Sequence, residues 1–540
     1  MHHRYRWTWG VLLVFLAACG SPVFLTRDLR PFYFPRDAAS EGQRTIRARN
    51  LRATVTVLTA DSLEGRESTY PGQRKAARYL AARFRSLGLR PGGDDGYLQK
   101  IPLQRLRPAR RQSAVAYAGR DTTRLHSAAD YFCASRWLSG DTTLTAPVVF
   151  AGYGIDLPRY HYVDYDSLNV RGKWVLLMDG MPDQRTAPAV RRRAFEQRSG
   201  LNVKYWVAHN HGAAGVLIAP DVARAAGPPE EVSEWASIRP AATHPRILAG
   251  DAQPNPRMPV LYLTEHAADR LLQSVHRSVR TAQAVIDSLG APLSTALPDT
   301  FRADLRVRVE QVSGQNVVGI LAGRDSSLGQ EYLAVTAHYD HLGIRSDGTW
   351  YPGADDNASG TAGVLAIARA FVENGTLPRR AVAFVLFDGE EAGLLGSRYF
   401  TGHPPLPLER CVADINLDMI GRNAPDSVYV IGPDMVSRDL DDITRVAAWY
   451  VPDMFLDYRY DSPNDPQRIY YRSDHYSFAS HDIPAFTFFS GFHPDYHQPT
   501  DTSDKLWWPK MEKVAQVAYL TAWGTANHPQ PLKKNGVLFP

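Results

Sequence analysis

Cysteine is scarce in this sequence, with 3 residues among 540, and long runs of one charge are absent. The 61 basic and 56 acidic residues give a net charge of only +5. A nucleic-acid-binding chain usually concentrates its positive charge, so that class is a poor candidate. No internal repeat or low-complexity segment stands out. At roughly 100 to 200 residues per domain, the length predicts two or three domains.

The N-terminus lacks an apolar run long enough to span a bilayer comfortably. A basic start ends at Arg6, the apolar stretch covers 10–18, and small residues precede Cys19. This arrangement predicts an export signal. The ending "LAAC" resembles a bacterial lipoprotein signal, in which Cys19 becomes the lipidated first residue. An ordinary cleaved signal and an uncleaved anchor are the alternatives.

A lipoprotein signal peptide at 1–19 implies an exported, lipid-anchored protein of the bacterial cell envelope, at the outer membrane or facing the periplasm. The chain would then contact a membrane through its N-terminal lipid. Only Cys133 and Cys411 remain after Cys19. In a compartment that permits disulfides they either pair or stay separate buried thiols.

The rest of the chain divides into regions with different patterns of apolar residues. We predict a proline-containing tether at 20–41 and the N-terminal part of a catalytic domain at 42–128, where Leu80, Phe84 and Leu87 at helical spacing indicate an amphipathic helix. Region 129–298 consists of short β-rich runs and predicts a separate domain without chemistry of its own. In 299–530, apolar strands alternate with helices, which predicts an α/β fold with a largely parallel mixed sheet flanked by helices.

Acidic and histidine side chains follow the apolar runs of this last region. Ligands of an open α/β sheet collect beyond the carboxyl ends of its strands. Five segments bring such residues to that edge: His338-Tyr-Asp340-His341, Asp355-Asp356, Asp388-Gly-Glu390-Glu391, Asp418, and the loop with His493, Asp495 and His497. One alone has an ordinary explanation, such as a helix cap. If all five segments are buried together, the cost of burying so many carboxylates requires a bound cation to offset it.

The types of side chain indicate which metal and which chemistry. Imidazole with carboxylate and without thiolate fits zinc, with manganese or cobalt as substitutes. Two metals suit hydrolysis because they lower the pKa of a shared water. Asp355 is predicted to bridge the two cations, which explains how it is held beside Asp356. Of the adjacent Glu390 and Glu391, one can ligate while the other acts as general base.

Six motifs in order, "AHYDHLG", "PGADDNASG", "FDGEEAGLLGS", "NLDMIGR", "SDHYSF" and "YHQPTD", resemble metallopeptidase family 28, the co-catalytic dizinc aminopeptidases. "DSLEGREST" is similar to the start of that family's catalytic domain. "VVFAGYGI" and "HGAAGVLIA" look like an inserted protease-associated domain, here at 129–298. The resemblance implies the zinc exopeptidase fold, two zinc ions per chain and peptide substrates.

The resemblance also implies the metal ligands. His338 and Asp418 would bind one zinc ion, and Glu391 and His497 would bind the other. Asp355 would bridge the two ions and form a cis peptide bond with the next residue.

The remaining roles follow from the same resemblance. Glu390 would be the general base, and Asp340 would orient His338 from behind. His341, His475 and His493 are not expected to be ligands.

The type of exopeptidase stays open at this stage. An aminopeptidase that releases N-terminal residues is the leading hypothesis. A carboxypeptidase or dipeptidase of the same family would need a basic pocket, for which Arg422, Arg468 and Arg472 are candidates. A non-catalytic binding protein on this fold, such as the transferrin receptor, would have lost ligands that are all present here.

Overall fold

The computed structural model describes residues 36–109, 111–118, 121–137, 140–222, 243–252 and 258–536. The predicted signal peptide with Cys19 and most of the predicted tether lie outside these residues. Within the described ranges, no helix combines the length and the apolar character needed to cross a lipid bilayer.

A ten-stranded mixed sheet forms the larger core. In spatial order its strands are Arg246–Ala249, Leu98–Pro108, Val307–Leu321, Ala381–Phe387, Tyr332–His338, Cys411–Asp418, Ala485–Phe489, Ser427–Ile431 and Phe455–Asp457, with Arg90–Pro91 also paired to Val307–Leu321. The four strands from Ala381–Phe387 to Ala485–Phe489 are parallel, whereas most pairs on either side are antiparallel. The predicted α/β fold is confirmed. Its parallel pairs are the three at the centre and one at an edge, between Ser427–Ile431 and Phe455–Asp457.

The central strands are buried because helices cover both faces of the sheet. Every residue of Tyr332–His338 and Ala381–Phe387 is buried, as expected for parallel strands between two layers. The α-helices of 36–86 and 360–527 are Arg36–Thr45, Ala48–Leu58, Pro71–Ser86, Gly360–Glu373, Leu395–Gly402, Pro433–Val436, Arg438–Trp449, His475–Ala479 and Trp508–Asn527. The amphipathic helix predicted around Leu80 and Phe84 is confirmed as Pro71–Ser86, and both side chains are buried.

A second sheet of eight strands is formed within 113–305. Its spatial order is Asp121–Leu125, Ser113–Ala118, Ser294–Leu305, Thr142–Ala151, Trp174–Met178, Gly215–Ala219, Val260–Leu263 and Tyr131–Cys133. The α-helices Ala189–Ser199, Leu201–Asn210, Glu265–Leu272 and Val279–Leu289 belong to the same part of the chain. That this part is a protease-associated domain stays a prediction.

The boundary between the two sheets differs from the one drawn on the sequence. Strands Ser113–Ala118 and Asp121–Leu125 belong to the second sheet although they precede residue 129. Strand Arg246–Ala249, from the middle of the predicted insert, instead pairs antiparallel with Leu98–Pro108 of the first sheet. The insert is therefore joined to the first sheet by backbone hydrogen bonds.

The two cysteines within the described residues are separate thiols. Cys133 and Cys411 are both free and buried, and burial raises the pKa of the Cys133 thiol to about 12. Of the two alternatives left open by the sequence, the structure shows two inert buried thiols.

Candidate metal centre

The carboxyl ends of the parallel strands bring the predicted residues to one edge. His338 is the last residue of Tyr332–His338, and Asp418 is the last residue of Cys411–Asp418. Glu390 and Glu391 follow Ala381–Phe387 within a short loop. Loops beyond parallel strands are where α/β folds place their ligands.

The turn Ala354–Ser359 supplies the central carboxylate of the site. Gly353 enters this turn with φ 57°, and a Cβ there would collide with the Asp356 carbonyl oxygen and the His341 ring. Asn357 fixes the turn against the neighbouring strand, because its side-chain amide donates to the Leu417 carbonyl at 2.9 Å and its Oδ1 accepts from the Met419 N–H at 3.0 Å.

Asp356, and not Asp355, lies between the two sets of ligand-type groups. Its Oδ1 is 3.4 Å from His338 Nε2, and its Oδ2 is 3.1 Å from His497 Nε2. The prediction that Asp355 bridges two metals is therefore wrong. The cis peptide bond was also predicted one residue too early, since it joins Asp356 and Asn357.

The carboxylate of Asp355 points away from the cluster because other groups hold it. Its Oδ1 accepts the N–H of Gly421 at 2.7 Å, and its Oδ2 lies 3.4 Å from His493 Nε2. His493 is thus a neighbour of Asp355 and not of the ligand cluster, in agreement with the choice of His497 over His493.

His338 and Asp418 form the first group together with Asp356. The ligand atoms of these three residues lie within 4.8 Å of one another, and His338 Nε2 is 3.4 Å from Asp418 Oδ1. On its other side, His338 Nδ1 faces the Asp340 backbone carbonyl at 3.3 Å and the Asp340 carboxylate at 3.7 Å. Asp340 is therefore placed to orient the imidazole, as expected from the sequence.

Glu391 and His497 face Asp356 from the other side. His497 Nε2 is 3.0 Å from Glu391 Oε2 and 3.1 Å from Asp356 Oδ2. His341, which was not expected to be a ligand, also belongs here: its Nδ1 lies 2.8 Å from Glu391 Oε1, and its ligand-type atoms form a second group with Asp356 and Glu391. A hydrogen bond from His341 holds Glu391 so that Oε2 remains directed at His497.

The electrostatics of this cluster fit cations. Asp356 Oδ2, Asp418 Oδ1 and His341 Nε2 are buried without a well-formed hydrogen bond. Burial raises the pKa of Asp356, and the charge of Glu391 raises it further. Burial favours neutral His497, yet Glu391 and Asp356 outweigh this effect and raise its pKa to about 11. The carboxylates thus stabilise a positive charge on His497, which bound cations would replace.

Glu390 lies beside the cluster without belonging to either ligand group. Its backbone N–H and that of Glu391 donate to the Asp340 carboxylate at 3.1 and 3.4 Å. Burial raises the pKa of the Glu390 carboxyl well above its usual range. A carboxyl group that lies next to the ligands without being one is in the position of a general base and acid.

Two positioning residues were missed on the sequence, although both lie in the motifs quoted above. Arg66 is completely buried, and its guanidinium donates to the carbonyls of Tyr339 at 2.8 Å, Pro352 at 2.8 Å and Gly353 at 2.9 Å. It thereby joins the His338 loop to the Asp356 turn. Burial lowers its pKa to about 10 against the raising effect of Asp340.

Asp501 is the second missed residue. Its carboxylate accepts the N–H of Asp355 at 3.0 and 3.1 Å and the N–H of Asp356 at 3.1 Å. Burial raises the pKa of Asp501 to about 6. The position of the Asp356 backbone therefore depends on this carboxylate.

Replacing Asp501 with asparagine should weaken the hydrogen bonds that position the Asp356 backbone. The two carboxylate oxygens of Asp501 accept three contacts from backbone N–H groups, whereas asparagine has one acceptor oxygen. We therefore expect a loss of about 1–3 kcal/mol in the free energy of unfolding. Metal affinity should fall by about 10- to 100-fold. Urea denaturation and competition with a zinc chelator measure both. Asp504→Asn, at an exposed position three residues away, is the control. Equal behaviour of the two variants would contradict the positioning role.

His475 is not part of the centre. Its ring packs edge-on against Tyr470 at 4.8 Å between centroids, and burial lowers its pKa to about 3. A neutral histidine packed against an aromatic ring agrees with the packing role expected from the sequence.

Two cavities border the cluster. The first, which we call the narrow pocket, has a volume of about 40 Å³ and contains Glu390, His338 and Asp418. Its other walls are mostly apolar and include Met419, Ile469, Phe489, Phe492 and Tyr496. The second, which we call the arginine cleft, has a volume of about 600 Å³ and borders His341 and Glu391. His497 contacts both cavities.

Comparisons with known proteins agree with this site. Residues 316–522 match the model of Peptidase family M28. Aminopeptidase YwaD of Bacillus subtilis strain 168 is 28% identical over 252 residues, which are 44% of this chain and 51% of that protein. The chain therefore spans about half the length of this relative.

Solved structures show the same fold. An aminopeptidase from Aneurinibacillus sp. strain AM-1 matches with a TM-score of 0.54 at 19% identity, over 93% of this chain and 98% of that chain. A zinc aminopeptidase from Bacillus subtilis matches with a TM-score of 0.52 at 19% identity, over 88% and 94% of the two chains. Residues 316–522, which contain the ligand cluster, are thus similar to peptidase family M28.

Proposed function

We propose that this protein is an exported aminopeptidase that binds two zinc ions and releases N-terminal residues from peptides. One observation carries the proposal: the two oxygens of Asp356 face two different histidines, His338 and His497, with Glu390 beside them. A carboxylate shared between two ligand groups is the arrangement that a two-metal hydrolase needs.

Zinc is the metal that this set of side chains fits best. The ligand-type atoms are imidazole nitrogens and carboxylate oxygens, and no cysteine contributes. The Bacillus subtilis structure with the same fold is a zinc aminopeptidase. His338, Asp418 and Asp356 would hold one ion, and Glu391, His497 and Asp356 would hold the other.

In the proposed mechanism, Glu390 moves the proton. Bound zinc ions would act as Lewis acids on the scissile carbonyl and would lower the pKa of the attacking water. Glu390 accepts the proton of that water as its oxygen adds to the carbonyl carbon, and donates the proton to the leaving amine as the carbon–nitrogen bond breaks. Asp340 fixes the backbone of Glu390 and Glu391, so the base and the neighbouring ligand keep their relative positions.

The narrow pocket fits an uncharged side chain next to the proposed base. Glu390 lines it together with apolar side chains such as Met419 and Phe489, which suits the side chain of a terminal residue. Two of the arginines considered for a carboxypeptidase are engaged elsewhere. Arg422 pairs with Asp495 at 2.7 Å, and the guanidinium of Arg468 stacks over Tyr471.

The third arginine candidate, Arg472, is exposed and stacks over Phe492 at the wall of this pocket, 4.7 Å from the ring centroid. We therefore keep a carboxypeptidase as the alternative in the test below. Export and lipid anchoring through Cys19 are part of the proposal and rest on the N-terminal sequence.

A substrate panel tests the proposal on the full chain purified in mild detergent. We expect cleavage of leucine amide and leucyl peptides, no cleavage of their N-acetylated forms, and activity that disappears with a chelator and returns with zinc. Cleavage of N-acetylated peptides with free C-termini would instead show the carboxypeptidase. If neither class is cleaved by chain that contains zinc, the exopeptidase proposal is wrong.

A further inference from the structure

The arginine cleft borders the second ligand group. Its lining includes Asp340, His341, Glu391 and His497, and His497 also lines the narrow pocket. Its volume of about 600 Å³ is far larger than the 40 Å³ of the narrow pocket. A peptide whose first side chain fills the narrow pocket would continue into this cleft beyond the scissile bond.

The lining of the cleft also includes arginines from three separate parts of the chain. Arg136 and Arg246 come from the region between 129 and 298, and Arg345 comes from the loop after Tyr332–His338. Glu67 in the same lining is bound to His244 Nε2 at 2.5 Å. Asp340 accepts the backbone N–H groups of Glu390 and Glu391, and Glu391 belongs to the ligand cluster.

Arg345 is the best placed of these arginines to bind a ligand. Its Nε is buried and has no hydrogen-bond partner among the described residues, and its guanidinium lies 5.2 Å from the ring centroid of Tyr351. No described carboxylate lies within the 4.0 Å that defines an ion pair with it. A guanidinium in this position has donors that match a carboxylate.

The part of the lining that contains Arg246 and Ile247 is held by the first sheet. Ile247 packs with Ile101 and Leu103, and its strand Arg246–Ala249 is in register with Leu103 to Leu106. The contact between His244 and Glu67 fixes the entry to this strand. The shape of the cleft is therefore fixed by strand pairing and packing as well as by individual side chains.

We propose that Arg345, in the lining of the arginine cleft, binds the free C-terminal carboxylate of a short peptide substrate. This inference rests on the proposed aminopeptidase function and narrows its substrates to short peptides with a free C-terminus. The first side chain of the peptide would lie in the narrow pocket, and its C-terminal carboxylate would meet the opposite charge of Arg345 in the arginine cleft.

Kinetics with matched peptides test the inference. We expect the full chain to cleave Leu-Gly-Gly with a kcat/KM about tenfold above that of Leu-Gly-Gly amide, a difference typical of one charge-assisted contact. Arg345→Gln should lose this factor on the free acid, mainly through KM, and should leave the amide within about twofold. Arg198→Gln, at an exposed position on Ala189–Ser199, should behave as the wild type.

Other outcomes overturn the assignment. Equal rates for acid and amide in the wild type, or an equal loss on both in Arg345→Gln, would remove the carboxylate site. A preference of the wild type for Leu-Asp amide over Leu-Asn amide, without one for the free C-terminus, would show that the cleft binds an acidic side chain instead.

Binding separates this inference from the proposed function. Calorimetry with Leu-Gly-Gly and its amide on the Glu390→Gln chain measures the same preference without turnover. If the wild type cleaves nothing but the free acid still binds about tenfold more tightly, the proposed reaction fails and the carboxylate site stands. Equal binding of the two peptides overturns the site whether or not the enzyme is active.

Discussion

Glu390→Gln should lower kcat on leucyl substrates by a factor on the order of 10³ while the chain keeps its zinc. Glutamine has nearly the same shape as glutamate but cannot accept and return a proton. The Glu390 backbone is held by the Asp340 carboxylate through a contact that the substitution leaves intact. Glu390 also lies outside both ligand groups, so metal binding should be affected little.

The measurement is kcat together with zinc content, determined by mass spectrometry on the same preparation. Glu409→Gln, at an exposed position in Leu408–Arg410, is the matched control and should keep full activity. Removing zinc from the wild type should give an equally inactive chain that recovers on adding zinc, which Glu390→Gln should not do. A variant that loses its zinc in proportion to its activity would make Glu390 a ligand and leave the base unidentified.

Asp356→Asn should abolish activity by removing the shared ligand, whereas Asp355→Asn should retain the metals. Asp356 faces both histidines, so we expect zinc affinity to fall by more than about 100-fold, beyond the usual effect of an outer hydrogen-bond partner. Asparagine at position 355 can still accept the Gly421 N–H through its Oδ1. Both variants carry the same Asp→Asn change at neighbouring positions, so each is the control for the other.

Zinc titration and thermal melting distinguish the two carboxylates. Because burial and the charge of Glu391 both raise the pKa of Asp356, the ionised carboxylate is costly without metal near neutral pH. Metal-free Asp356→Asn should therefore melt no lower than the metal-free wild type, but zinc should no longer raise its melting temperature. If Asp355→Asn loses the zinc and Asp356→Asn keeps it, the bridge belongs to Asp355 after all.

Much of the site was predictable because strand ends are predictable. His338 and Asp418 come directly after apolar runs, and parallel strands that are buried on both faces bring such positions to one edge. The loops with Glu391 and His497 join them there. For these residues, the pattern of apolar runs was enough to indicate proximity.

The choice between Asp355 and Asp356 was not predictable from local pattern. The two residues are chemically identical neighbours, and their directions are set by groups that lie more than 60 positions away in sequence. Gly421 holds the carboxylate of Asp355, Asp501 accepts both backbone N–H groups, and Asn357 anchors the turn to Met419. Only the assembled sheet brings these partners together.

Arg66 and the arginine cleft were missed for a related reason. A buried arginine that donates to backbone carbonyls leaves no signature in its own neighbourhood, since Tyr339 and Gly353 are remote in sequence. Region 129–298 was considered free of chemistry because it lacks carboxylate clusters. The structure nevertheless places Arg136 and Arg246 on the wall of a cavity that reaches the ligand cluster.

Strand Arg246–Ala249 limits how freely the inserted region can be exchanged between proteins as a module. Excising 129–298 as one block would uncover the outer edge of Leu98–Pro108 along Leu103 to Leu106, and an uncovered edge invites pairing with other chains. It would also remove His244, the partner of Glu67. A chimaera must therefore retain 244–249 to keep this edge of the catalytic sheet covered. Exchange of the whole region 129–298 would remove that cover.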